Sequence, residues 1–103
     1  MKYLVVSSVR VSGTVDEMDA QSDRIQALQK EWIPSDRSVE SFVMAVNGQT
    51  TWMVVETDDH EGLMRDLATW APLVDQQVIP VVPIEVGSRV LAEAREIRRK
   101  ALG

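Results

Sequence analysis

Hydrophobic positions along the chain switch between a period of two and a period near 3.6. From Lys2 to Val11 the period is two: Tyr3, Val5, Ser7 and Val9 share one face, and Leu4, Val6, Ser8 and Arg10 share the other. That alternation predicts a strand with apolar residues on both sides. Ser12-Gly13 breaks it. Thr14 and Glu17 then stand at capping-box spacing, and Val15, Met18, Ser22, Ile25 and Leu28 follow at helical spacing. The helix is expected to end near Lys30, because Pro34 disfavours helix at Ile33 and turns Trp32-Ile33-Pro34 into a bend.

A second strand is expected over Ser38 to Val46, with Phe42, Met44 and Val46 on one face and Val39, Ser41, Val43 and Ala45 on the other. Asn47-Gly48 is a hairpin signal, since both central positions of a type I′ turn need positive φ. The third strand, Gln49 to Thr57, therefore pairs antiparallel with the second and sets Trp52, Val54 and Glu56 opposite Met53, Val55 and Thr57. Asp58 and Glu61 form a second capping box, ahead of a helix burying Leu63, Met64, Leu67 and Trp70 before Pro72. A fourth strand over Gln76 to Val86 contains Pro80 and Pro83, which cannot donate to a ladder and so favour a sheet edge or a bulge. A final helix over Ser88 to Leu102 would turn Val90, Leu91, Ala94, Ile97 and Ala101 inward.

The order β-α-β-β-α-β plus a C-terminal helix is the split-βαβ, ferredoxin-like arrangement of an α+β fold. Two helices can cover one face of its four-stranded antiparallel sheet. The other face keeps apolar side chains from every strand, and a patch of that kind marks an interface. Two copies stacked sheet to sheet, a dimeric α/β barrel, would bury it with twofold symmetry. Residues 1–86 are thus expected to form the ferredoxin-like α/β-barrel domain. Residues 87–103 are a C-terminal helix that folds back on the same domain or clasps the partner.

Composition narrows the function classes. The chain has 103 residues, 45% hydrophobic and 26% charged, enough for one domain with one core. It has no cysteine, which excludes disulfides, zinc-thiolate sites and thiol nucleophiles. No apolar run approaches the roughly 20 residues of a membrane span. The N-terminal MKYLVVSSVR suits a strand better than a secretory signal, so a cytoplasmic location is expected. A net charge of −5 argues against nonspecific nucleic-acid binding. The charge is uneven: residues 1–86 hold 6 basic and 14 acidic side chains, residues 87–103 hold 5 and 2. The basic end (Arg95, Arg98, Arg99, Lys100) is best read as cations at a helix C-terminus, where the macrodipole favours them.

Several short patterns occur in a fixed order: Trp32-x-Pro34, Asn47-Gly48, Glu56-Thr57-Asp58-Asp59, Trp70-x-Pro72 and the run from Ile79 to Glu85, IPVVPIE. Together they resemble a family of bacterial domains of unknown function that is similar to the dimeric α/β-barrel superfamily. The resemblance covers roughly residues 1–86. It implies the fold and the homodimer more firmly than an activity, because the superfamily includes cofactor-independent monooxygenases, lactone isomerases, polyketide cyclases, haem-degrading enzymes and noncatalytic regulators. Where some related sequences carry acidic residues on the first and fourth strands, this chain has Ser7 and Gln77.

Among individual residues, Glu56 is the carboxylate on a half-buried strand face, where a raised pKa would suit a general acid or base. The competing reading is a hydrogen-bonded strand-end residue. His60, the only histidine, stands in the first turn of a helix. It is a solvated helix-start residue or a proton shuttle, and its acidic neighbours do not converge on a metal. Arg10 could meet a substrate carboxylate or enolate, or form a strand-end ion pair. These three are the catalytic candidates. The substrate-binding candidates are Trp52 as an aromatic wall, Tyr3 as a hydrogen-bond donor, Ser7, Met44 and Trp70; Trp32 and Trp70 equally suit the ends of the core. Glycines are scattered, so no phosphate-cradling loop or dinucleotide fingerprint exists, and neither a cofactor nor a metal is expected.

The expectation is a small cofactor-independent enzyme acting on an apolar or aromatic metabolite in a pocket between sheet and helices. Cyclisation or isomerisation leads, and O₂-dependent oxidation would also fit. The alternative is a noncatalytic dimeric module that binds a small ligand or another protein. Neither a nucleic acid nor a membrane is expected as partner.

Overall fold

A computed structural model describes residues 1–10, 13–35 and 37–103. The elements are β1 (Lys2–Val9), α1 (Val15–Glu31), β2 (Ser38–Met44), β3 (Thr50–Glu56), α2 (His60–Trp70), β4 (Val74–Val81) and α3 (Ile84–Leu102). All three strand pairings are antiparallel and the sheet order is β2-β3-β1-β4. This is the ferredoxin-like α+β arrangement that the sequence pattern predicts. The proline-bearing strand, β4, is at an edge, and the expected end of the first strand at Val11 and its break at Ser12 lie outside the described residues.

Strand register assigns the two faces. Tyr3, Val5 and Ser7 oppose Val55, Met53 and Thr51 on β3, and Pro80, Val78 and Gln76 on β4. This face looks toward α1 and α2, and its core is Tyr3, Val5 and Val55 packed by Met53, Leu63 and Leu67. Leu4 and Val6 oppose Val54 and Trp52, and Ile79 and Gln77, on the other face. A bulge between Val39 and Ser41 sets Val39 opposite Val55, on the side of Phe42 rather than that of Val43. The Lys2 Nζ meets the carboxylate of the bulge residue Glu40 at 3.1 Å.

Several boundaries differ from the sequence pattern, each for a local reason. The β2–β3 turn has positive φ only at Gly48, so it is not type I′. Gly48 N donates to Ala45 O at 2.8 Å, and the Asn47 side chain accepts from Gln49 N at 3.1 Å, which widens the loop and shortens both strands. The cap of α2 is Asp59, accepting from Gly62 N at 2.9 Å, because Asp59 N is already turned onto the Thr57 hydroxyl at 3.0 Å. The last strand stops at Val81 and α3 begins at Ile84, with Pro83 preceding it at φ −55.

The helices cover the sheet loosely. Helix α1 is capped as expected, with Thr14 Oγ1 accepting from Glu17 N at 3.2 Å, but it buries no residue. Val15 and Met18 are exposed; Ile25 and Leu28 are half-buried. On α2 the inward position expected for Met64 is taken by Asp66: Met64 is 72% exposed and Asp66 6%. No residue of α3 is buried, and the molecule extends 62 Å along its longest axis. Val90, Leu91 and Ile97 therefore stay exposed rather than inward.

Candidate functional site

The loose seat of α1 leaves a pocket of about 270 Å³ between the helices and the sheet. Its floor is the helix-facing side of the strands. Period-two alternation brings Ser7, Thr51 and Gln76 into one row across β3, β1 and β4, since Ser7 pairs with both of the others. Val5, Met53, Phe42 and Met44 make the rest of the floor apolar, and Gln29 of α1 adds a further polar side chain. Phe42 and Met44 are exposed, so the pocket opens along the β2 edge.

One wall is built around a buried charge. Arg37, just before β2, pairs through Nη1 with Asp66 of α2; their side chains are 8% and 7% exposed. The Asp66 carboxylate also accepts from Ser35 N at 3.1 Å, and the Ser35 hydroxyl lies 3.1 Å from both Asp66 Oδ1 and Gly62 O. The Arg37 guanidinium lies 5.2 Å from the centre of the Trp32 ring, and Trp32 meets Trp70 edge to face at 5.5 Å. A desolvated cation over an indole is worth about 2 kcal/mol, and an aromatic pair about 0.5–1.5 kcal/mol. Burial pushes the Arg37 pKa below its usual value, and Arg37 Nε has no hydrogen-bond partner among the described residues. The two W-x-P bends thus meet each other and the ion pair at one end of the pocket.

The family model of a Domain of unknown function (DUF3303) matches residues 1–95. This chain belongs to that family. The DUF3303 match takes in the whole sheet, α1, α2 and the first part of α3, and so all the residues that line the pocket. No curated protein matches the chain.

Within this DUF3303 fold the eight residues singled out from the sequence separate into four places. Ser7, Met44 and Trp70 line the pocket. Tyr3 lies on the same face of the sheet but in the packed core, with its hydroxyl 2.8 Å from His60 Nε2; the tautomer decides which group donates. Trp52 and Glu56 lie on the opposite face, and Arg10 pairs with Asp75 at 2.8 Å beyond the strand end. Glu56 accepts from the Met1 amine at 2.9 Å, as does Asp58. The hydrogen bonds to Asp58 and Glu56 raise the amine's pKa, and the amine's hydrogen bond holds the Asp58 carboxyl below its ordinary value.

Arg37, Asp66, Thr51 and Gln76 were not among the sequence candidates. Asp66 had a legible signal. Leu63, Asp66, Leu67 and Trp70 are spaced i, i+3, i+4, i+7, so Asp66 interrupts an apolar helical stripe, where a carboxylate needs a buried partner. Among the described residues no three His, Cys, Asp or Glu side chains converge to hold a metal ion, and no helix is long and apolar enough to cross a membrane.

Proposed function

We propose that this domain binds a small, mostly apolar organic molecule in the pocket between the sheet and its two helices. The observation that carries this reading is the row Ser7, Thr51 and Gln76 on an apolar floor. These side chains make no hydrogen bond to any described residue and face about 270 Å³ of open space. Natural ligand pockets have this composition, apolar walls with a few placed polar groups, and start at about 300 Å³.

Binding is favoured over turnover because Glu56 and Arg10 are held by ion pairs away from the pocket. An enzymatic reading, cyclase or isomerase in type, rests on the Tyr3–His60 hydrogen bond as a proton-handling couple.

The same reading includes a homodimer. Leu4, Val6, Val43, Trp52, Val54 and Ile79 lie on the uncovered face of the sheet, and α3 of the same chain does not cover them. A second copy offers the matching surface under twofold symmetry.

The binding claim is tested by screening neutral bicyclic compounds against the full chain and following backbone amide shifts. Saturable shifts centred on Ser7, Thr51, Gln76 and Trp70 are expected. Shifts confined to the uncovered sheet face or to α3, or no saturable response from any compound, would remove the claim.

A further inference from the structure

The pocket's charge accounting identifies the class of ligand more closely. Of the described residues lining it, only Arg37 and Asp66 carry a charge at pH 7, and they neutralise each other. Asp66 is further occupied by Ser35, and Arg37 lies against Trp32. Among the described lining residues no net charge remains to receive a carboxylate or an ammonium, and an ion entering an apolar site without a partner loses its hydration uncompensated. What the pocket does offer is neutral: two hydroxyls (Ser7, Thr51) and two amides (Gln76, Gln29), each able to donate and accept. Ser7, Thr51 and Gln76 sit on adjacent strands, so neighbouring polar groups stand roughly 5 Å apart along one line. Phe42, Met44, Met53 and Trp70 supply an aromatic and thioether surface suited to a flat apolar body.

Resting on the pocket reading above, we infer that the ligand is an uncharged planar compound of one or two rings with carbonyl or hydroxyl oxygens along one edge, of the phenol, ketone or quinone class. Its oxygens meet the Ser7–Thr51–Gln76 row and its rings lie against the aromatic and methionine side chains. The Arg37–Asp66 pair acts as a neutral wall that rejects both anions and cations of the same shape.

Three probes of one skeleton test this with the full chain at pH 7: 2-naphthol, 2-naphthoate and 2-(aminomethyl)naphthalene as its ammonium. The last two carry opposite charges, so the chain's net charge of −5 cannot disfavour both. Titration followed by amide shifts should show naphthol binding at least tenfold tighter than either ion. Thr51→Val should weaken naphthol fivefold or more while leaving naphthalene itself within twofold. Asp66→Asn, which leaves Arg37 unbalanced, should narrow the naphthol-to-naphthoate preference by at least fivefold; if that variant does not fold, the Thr51→Val comparison stands alone. Equal or tighter binding of either ion overturns the inference while the binding pocket survives. If no probe binds at Ser7, Thr51 and Gln76, the inference falls together with the reading beneath it.

Discussion

Arg37 and Asp66 are paired where each side chain keeps less than a tenth of its surface, 8% and 7%. The pair ties the segment after the first W-x-P bend to the middle of α2, and Ser35 adds its backbone N–H to the same carboxylate at 3.1 Å. The Ser35 hydroxyl, 3.1 Å from Gly62 O, reinforces the same tie. The ion pair therefore sets the end wall of the pocket as well as the packing of the helix.

Removing one member leaves the other charge buried. Asp66→Ala is expected to cost about 3–5 kcal/mol, because the Arg37 guanidinium would lose its counter-charge while still desolvated. Replacing both, Arg37→Met with Asp66→Leu, should cost far less than the single change. Urea unfolding of the three proteins measures both quantities, and an Asp66→Ala midpoint within error of the parent would show the pair to be solvated.

Two helical glycines should respond to alanine with opposite sign. A Cβ at Gly62 would collide with the capping carboxylate Oδ2 of Asp59 and stand 2.9 Å from the Ser35 Cβ. Gly62→Ala should lose about 1–3 kcal/mol by overpacking, more than the roughly 1 kcal/mol that helix propensity returns. At Gly87 the nearest atom to a new Cβ is Val82 Cγ2 at 3.8 Å, an ordinary contact. Gly87→Ala should stabilise the first turns of α3 by about 0.5–1 kcal/mol. Urea midpoints report the first change and amide exchange along α3 the second; a loss of protection in α3 would contradict the assigned helix start.

Much of this architecture is legible in the chain because period-two and period-3.6 segments alternate cleanly and prolines mark the edge strand. The start of α3 is not. Ile84-Glu85-Val86 continues the apolar-polar alternation of β4, yet it lies in the first turn of the helix that follows Pro83, which has no N–H to extend the β4 ladder. The site was half legible for a similar reason. Alternation tells that Trp52 and Glu56 share a face, but not that the helices cover the other one, where Val55 is fully buried. It also places Ser7 with the helices without saying how far α1 stands off, and that gap is what makes a pocket.

Glu56 offers a direct check on this division of faces. Its register partner on β1 is Lys2, on the side away from α1 and α2, and its carboxylate meets the Met1 amine. Glu56→Gln should leave the affinity of any pocket ligand within twofold of the parent, whereas Ser7→Val should weaken an oxygenated ligand at least fivefold. Isothermal titration of both variants measures the contrast. A large loss at Glu56 with none at Ser7 would move the functional site to the other side of the sheet.

That other side carries the final expectation. Trp52 is 38% exposed in the single chain and stands beside Val6 and Val43 in one register row, with Leu4, Val54 and Ile79 in the next. The proposed sheet-to-sheet dimer would cover this apolar surface with the same residues from each copy. Because a twofold interface repeats every substitution, Trp52→Glu sets two carboxylates into one apolar layer. The parent should sediment as a dimer at micromolar concentration. The Trp52→Glu chain should sediment as a folded monomer with an unchanged circular dichroism spectrum. A double change on α3, Leu91→Glu with Ile97→Glu, separates two arrangements: if α3 clasps the partner it too weakens the dimer, and if only the sheets meet it does not. A parent chain that stays monomeric at hundreds of micromolar would leave the uncovered face without the second copy assigned to it.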